Sequence, residues 1–185
     1  MPKRVKKTSG LLFLDGIIII IIIIIYNDSG DAANLYEIDS LSGIIVRTVS
    51  ISNATNIDWE DMAENDTHIF IADIGNNNGD RLDLKIYSIL KSDFKNNSSI
   101  SAEIISFSYE DQADFSSPPN SSNFDTEGIV VYENNLLIFT KNWADFETNV
   151  YKIPLNAGSY IASKVSSANV EGLITSAVHN ADRFF

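Results

Sequence analysis

A short motif recurs along the chain, and this repetition limits the possible folds more than any other feature. Residues 58–63 (DWEDMA) match residues 125–130 (DTEGIV) and residues 169–174 (NVEGLI). A weaker fourth copy, TSGLL, lies at residues 8–12. Each copy places a Glu or a small polar residue beside Gly or Asp, and we predict that an apolar strand begins there. Internal similarity of this kind indicates a repeat architecture.

The rest of the chain consists of short apolar runs separated by turn residues. No segment of a dozen residues keeps a helical period, and many short strands at spacings of about 8–12 residues are typical of an all-β protein. Polar loops are predicted at residues 75–80 and 111–123. The predicted strands cover residues 35–39, 43–51, 57–63, 68–73, 82–90, 101–109, 127–133, 136–141, 149–154 and 160–165.

The spacing of the motif favours a β-propeller over a sandwich. Glu60, Glu127 and Glu171 are separated by 67 and 44 residues, and the longer interval contains the Ser- and Pro-rich loop. Propeller repeats run about 40–50 residues, with four strands in each blade. Residues 8–185 therefore predict an all-β, partial β-propeller of three to four four-stranded antiparallel blades, after a basic tail at residues 1–7. A closed ring needs about four to eight blades, so we expect a fragment of a longer propeller or closure by self-association.

Nine consecutive isoleucines occupy residues 17–25. A membrane-spanning helix needs about 20 apolar residues, and Asp15 and Gly16 interrupt this run, so no transmembrane span is expected. Basic residues precede the tract as in a signal peptide, but Asp15 falls inside the apolar stretch and no Ala-x-Ala site follows. Because β-branched residues favour strands, we predict a buried strand.

The charge is strongly acidic. The chain has 25 acidic and 13 basic residues, a net charge of −12. Such a surface repels phosphate backbones, so nucleic acid is not an expected partner, whereas cations are attracted. There is no Cys, which removes disulfides, thiolate metal sites and Cys nucleophiles.

Several runs together resemble a known family. They are residues 27–30 (NDSG), 35–39 (LYEID), 56–63 (NIDWEDMA), 71–77 (IADIGNN), 139–143 (FTKNW) and 169–176. These runs are similar to secreted bacterial β-propeller proteins, mostly uncharacterised, which often carry a C-terminal sorting tail. They are more distantly like phytase-type and SdiA-regulated propellers. The resemblance implies the fold and a secreted or cell-surface location in a bacterium more than it implies chemistry. This chain departs from the pattern in its isoleucine tract and in lacking the sorting tail.

Acids at the predicted strand starts have two interpretations. They could accept hydrogen bonds from backbone amides of the neighbouring blade, as we consider for Asp58, Glu60, Asp125, Glu127 and Glu171. Alternatively, they converge at one mouth of the channel, where carboxylate and amide oxygens would suit a hard cation such as Ca²⁺. The candidate metal ligands are Asp58, Glu60, Asp73 and Glu127. The candidate ligand-binding residues at the mouth are Asp28, Asp58, Glu60, Asp73, Asn76, Asn77, Arg81, Glu127, Lys141 and Glu171.

These residues leave three functional hypotheses open. The first is an exported binding or scaffold module whose ligand is an unknown small molecule, glycan or protein. The second is a calcium-assisted hydrolase, a phosphoesterase by analogy with phytase-like propellers, although basic partners for a phosphate are few. The third is an inactive gene fragment. No G-x-S-x-G elbow occurs in the sequence. Trp59 and Trp143 would pack between blades or stack on a sugar.

Overall fold

The computed structural model describes residues 8–14, 22–180 and 183–184. Within these ranges the chain is all-β, as predicted, with one helix of six residues, α1 (Lys91–Asn96). No helix in the described ranges is long and apolar enough to cross a membrane. The strands are β1 (Thr8–Leu14), β2 (Ile22–Asn27), β3 (Asn34–Asp39), β4 (Ile45–Ile51), β5 (Trp59–Glu64), β6 (His68–Asp73), β7 (Lys85–Leu90), β8 (Ser99–Ile100), β9 (Glu103–Tyr109), β10 (Asp125–Tyr132), β11 (Asn135–Lys141), β12 (Glu147–Pro154), β13 (Gly158–Asn169), β14 (His179–Asn180) and β15 (Arg183–Phe184).

Most strands belong to three antiparallel groups of four. The groups are β1–β4, then β5, β6, β7 and β9, then β10–β13, and within each group neighbours along the chain pair with one another. The outer strands β4 and β9 each pair in parallel with a strand from later in the chain. β4 pairs with β8, and β9 pairs with the first five residues of β13, which joins the second and third groups into one eight-stranded sheet.

The first strands of the three groups lie beside one another. β5 contacts β1 on one side and β10 on the other. A cavity of about 690 Å³ lies among them and is also bordered by residues 176–179. The Asp61 carboxylate near the start of β5 accepts the N–H of Ile129 near the start of β10, so these two starting ends, each with a motif copy, come together.

Aromatic side chains fill the space between the groups. Tyr26, Trp59 and Tyr87 are buried between the first and second groups, with ring centroids 5.6 and 6.0 Å apart. Between the second and third groups, Tyr109 packs on Tyr151 at 4.5 Å. Packing is therefore the role of Trp59, whose indole N–H donates to the Thr55 carbonyl at 3.0 Å.

The isoleucine tract contributes to β2, which begins at Ile22. Ile24 and Ile25 are buried, so the interpretation as a buried strand is confirmed for this part of the tract. Residues 17–21 and the basic tail at residues 1–7 lie outside the described residues.

One prediction about the elements was wrong. The motif copy at residues 169–174 does not begin a strand, because Asn169 ends β13 and residues 170–178 form no ladder. This segment runs along β10 instead, and no following strand in the described chain pairs with it. The sequence also gave no sign of α1 and β8, which are inserted between β7 and β9.

Candidate functional site

The repeated Glu60 occupies a β-bulge in β5. Trp59 pairs with Asp73 and Asp61 pairs with Ala72, so Glu60 is an extra residue between two paired positions. A bulge bends the strand and redirects the side chain of the extra residue. In β5 the motif therefore marks a bulge that changes the direction of a side chain at the start of the strand.

The same irregularity occurs in the other first strands. In β10, Glu127 is the extra residue between Thr126 and Gly128. In β1 the register shifts by one residue between Ser9 and Leu12, within the weak motif copy. Three of the four motif copies thus share one backbone feature, and two of them place a glutamate on it.

Glu60 belongs to a group of three carboxylates that we call the acidic cluster, formed by Asp28, Asp58 and Glu60. One oxygen from each lies within 4.8 Å of the others. Gly75 lies against two of the carboxylates, since a Cβ atom placed on it would be 2.2 Å from Asp58 Oδ2 and 2.5 Å from Glu60 Oε1. The absence of a side chain at Gly75 makes the cluster possible.

Backbone hydrogen bonds fix Asp58 within the cluster. Its carbonyl accepts the N–H groups of Ile74 at 3.2 Å and Gly75 at 3.1 Å. Its own N–H donates to Asp73 Oδ1 at 3.0 Å. The segment before β5 is thereby tied to the end of β6, and this bond occupies one oxygen of Asp73.

Asn56 joins the segment carrying Asp28 to the start of β5. Its Nδ2 donates to the carbonyls of Asn27 at 2.7 Å and Asp28 at 3.1 Å. Its Oδ1 accepts the N–H of Trp59 at 3.3 Å. One buried amide therefore sets the distance between the first and second strand groups at the acidic cluster.

Burial and mutual repulsion raise the pKa of three carboxylates in and beside the cluster. Burial, then the Glu127 and Asp58 carboxylates, raises the pKa of Glu60 well above its usual range. Burial and the Asp28 carboxylate raise the pKa of Asp58 despite the nearby Arg81. The pKa of Glu127 is also raised, chiefly by burial. Such clustering of shifted carboxylates is typical of binding sites, although structural networks produce it too.

The two basic candidates already have acidic partners. Lys141 Nζ lies 2.7 Å from Glu127 Oε1 and 4.6 Å from the ring centroid of Trp143. Arg81 pairs with the buried Asp73 at 3.1 Å and donates to the Gly75 carbonyl at 2.8 Å. An anionic ligand would have to compete with these contacts.

Asp125 and Asn76 link the second and third strand groups. Asp125 Oδ1 accepts the N–H of Asn76 at 2.8 Å, and its Oδ2 accepts the indole N–H of Trp143 at 2.8 Å. Asn76 Nδ2 donates to the Phe124 carbonyl at 3.1 Å. The interpretation of such acids as ties to neighbouring backbone amides is confirmed for Asp125.

Asp61 is a second tie, and the sequence did not indicate it. Its carboxylate accepts the N–H of Met62 at 2.8 Å and, from β10, the N–H of Ile129 at 2.9 Å. Burial raises its pKa to about 7. The aligned residue in the β10 copy is Gly128, so the repeat carried no signal for this acid.

Tyr26 is a further residue that the sequence did not single out. Its side chain is fully buried, and its hydroxyl has no hydrogen-bond partner among the described residues. Burial raises its pKa, and the carboxylates of Asp61, Glu60, Asp28 and Glu127 raise it further. The Tyr26 ring packs against Trp59, between Asp58 and Glu60 in the chain, with ring centroids 5.6 Å apart.

A small cavity lies beside the acidic cluster. It has a volume of about 220 Å³, and its polar lining includes Asp58, Asn77, Asp80 and Arg81. Asn76 also borders it, so three of the asparagine and arginine candidates meet at this cavity.

Glu171 does not occupy the position expected of a strand-start acid. It is exposed in a bend after β13, with a φ of 50°, and its N–H donates to Asn169 Oδ1 at 3.0 Å. The expected role required a first strand at this point, and none forms.

No protein-family model and no curated protein matches this chain. The resemblance to secreted bacterial propellers therefore stays a prediction.

Proposed function

We propose that this chain is an exported β-propeller binding module whose ligand is held at one mouth of the channel. The acidic cluster and Glu127 form this mouth. The observation that carries the proposal is that Glu60 and Glu127 occupy equivalent bulges and that the Glu127 carboxylate, after burial, raises the pKa of Glu60. Export rests on the family resemblance alone.

The arrangement of the strands supports the propeller. Each group of four follows chain order, the first strands lie beside one another, and a cavity separates them. Propeller blades have this order from the channel outward. Three groups are fewer than the about four to eight blades of a closed ring, so the proposal includes further blades beyond these three.

The charge of the mouth favours a cationic ligand. Four carboxylates face a region where Lys141 and Arg81 are already paired. A divalent cation, alone or bridging an organic ligand, would relieve the repulsion that raises the pKa of Glu60. The calcium-assisted hydrolase and the inactive fragment remain predictions.

Binding of cationic probes tests the proposal. Ca²⁺, spermidine and a tri-lysine peptide are titrated into the wild type and the double variant Glu60→Gln/Glu127→Gln. At least one probe is expected to bind the wild type and to lose about tenfold or more in affinity in the variant. The matched control is Asp66→Asn/Glu103→Gln, which removes two exposed acids elsewhere. Equal binding by both variants, or no binding of any probe, contradicts the proposal.

A phosphoester assay separates the binding module from the hydrolase. With p-nitrophenyl phosphate and Ca²⁺, the binding module is expected to give no turnover above a protein-free blank. Turnover that disappears in Glu60→Gln/Glu127→Gln would support the hydrolase instead.

A further inference from the structure

We propose that Asp28, Asp58 and Glu60, together with the Tyr26 hydroxyl, form a binding site for one Ca²⁺ ion. This inference rests on the proposed function and names the ligand of the same mouth.

The spacing of the carboxylates fits a single ion. Oxygens of the three acids lie within 4.8 Å of one another. Ca²⁺ binds oxygens at about 2.3–2.6 Å, so oxygens on opposite sides of one ion are separated by about twice that distance. The three side chains come from the segment after β2, the segment before β5 and the bulge of β5. An ion would therefore bridge the first and second strand groups.

Tyr26 gives an independent indication of a missing ligand. Its hydroxyl is buried without a hydrogen-bond partner among the described residues, and its ring packs against Trp59, which lies between Asp58 and Glu60 in the chain. Buried polar groups nearly always have a partner, which can be an ordered water or an ion. A hydrated ion in the acidic cluster would supply that partner, either directly or through a bound water.

Because Gly75 has no side chain, the carboxylates have room to occupy their positions. Any side chain there would collide with Asp58 and Glu60. The Asp58 backbone is fixed by three hydrogen bonds, so its carboxylate is held in place before an ion arrives. Preorganised, partly buried carboxylates lose less conformational freedom on binding an ion.

The chemistry favours Ca²⁺ over Mg²⁺. Mg²⁺ demands near-octahedral geometry and keeps several waters, whereas Ca²⁺ accepts irregular sets of six to eight oxygens. The three acids come from two segments, the one after β2 and the one at the start of β5, so other oxygens must complete the shell. The adjoining 220 Å³ cavity has room for the waters or ligand oxygens that would complete the shell.

Calorimetric titration of the chelator-treated, desalted chain with CaCl₂ and MgCl₂ tests the site. The wild type is expected to bind one Ca²⁺, at least about tenfold more tightly than Mg²⁺. Asp58→Asn and Glu60→Gln are each expected to weaken Ca²⁺ binding by about tenfold or more. Glu103→Gln removes an exposed acid on β9 and is expected to leave it unchanged. Tyr26→Phe is expected to weaken binding by about fivefold, the effect of one hydrogen bond.

A pair of glycine variants distinguishes binding at this site from a general effect of negative charge. Gly75→Ala keeps every carboxylate but forces Asp58 and Glu60 apart, so Ca²⁺ binding is expected to be lost. Gly172→Ala is the matched control, because its added Cβ would meet nothing closer than 3.8 Å. Circular dichroism in chelator establishes that each variant is folded. If Gly75→Ala is unfolded, the Asp58→Asn and Glu60→Gln results decide.

The outcomes distinguish this inference from the proposed function. If folded wild type does not bind Ca²⁺ but binds spermidine in a Glu60- and Glu127-dependent way, the calcium site is overturned and the binding module stands. If neither probe binds, both fail. Equal Ca²⁺ affinity in wild type, Asp58→Asn and Glu60→Gln would place the ion elsewhere and overturn the site.

Discussion

At the residue scale, the buried carboxylates differ in what their oxygens face. Both oxygens of Asp61 and both of Asp125 accept N–H groups, which ties neighbouring strand groups together. Oxygens of Asp58 and Glu60 instead face one another and Asp28. The first kind of acid ties strand groups together, whereas acids of the second kind repel one another when they are ionised. The same residue type therefore serves two purposes a few residues apart.

Asp61 should make stability depend on pH. Its pKa rises from 3.8 unfolded to about 7 folded, so the folded protein holds the proton more tightly. The resulting stability is fully present below about pH 4 and is lost as pH rises to about 7, at roughly 1.4 kcal/mol per pH unit. In chelator, urea unfolding of Asp61→Asn should show a flatter dependence between pH 5 and 8 than the wild type. Asp66→Asn, at an exposed position, should follow the wild type, and parallel curves for Asp61→Asn would show that the shift is absent.

At the scale of elements, the sequence predicted strands better than it predicted their partners. His68–Asp73 matches its prediction, because a short continuous apolar run between turn signals indicates a buried strand locally. The strand predicted from the motif at residues 169–174 does not form, because a strand also needs a neighbour and no described strand pairs with this segment. α1 is too short for a helical period, and its burial depends on Phe94 and on Arg47, which lies far away in sequence.

The repeated motif predicted part of the candidate site, and the reason is physical. Glu60 and Glu127 recur because the bulge recurs, so comparing copies found them. Tyr26 and Asn56 are not repeated from one strand group to the next, and their roles depend on contacts between strand groups. Only the three-dimensional arrangement brings Asp28 to Glu60, so the sequence did not select Asp28 as a metal ligand.

Gly128 tests how the segment after β13 is held. A Cβ atom on Gly128 would lie 2.9 Å from the backbone N of Ala177, and backbone yields less readily than a flexible side chain. Gly128→Ala should therefore displace residues 173–178 from β10. Hydrogen exchange of this segment should become faster, while exchange in β6 and β7 stays unchanged. Gly172→Ala should retain wild-type exchange, and unchanged protection in Gly128→Ala would contradict the packing described.

At the scale of the whole molecule, one excess of negative charge shapes both stability and binding. The net charge of −12 includes Asp58, Glu60 and Glu127, whose pKa values are raised chiefly by burial. Protons and cations compete for these oxygens, so the binding of an ion is linked to pH. The acidic composition and a convergence of the acids were expected from the sequence, but the bulges that carry Glu60 and Glu127 were not.

Calcium should stabilise the protein more at high pH than at low pH. An ion that binds only the folded state raises the melting temperature, and its carboxylate ligands must be deprotonated. Because burial raises the pKa of Glu60 and Asp58, protons should compete strongly at pH 5. Scanning calorimetry in CaCl₂ and in chelator should show a larger calcium-induced rise at pH 8 than at pH 5. The rise at pH 8 should vanish in Glu60→Gln/Glu127→Gln, and an equal rise at both pH values would contradict the linkage.

A crystal structure grown with a lanthanide ion tests the central claim most directly, because anomalous scattering locates such ions without reference to the protein. The account predicts one strong peak within bonding distance of Asp28, Asp58 and Glu60, where the segment after β2 meets the start of β5. A well-ordered structure with these three carboxylates dispersed, or with every lanthanide peak elsewhere, would contradict it.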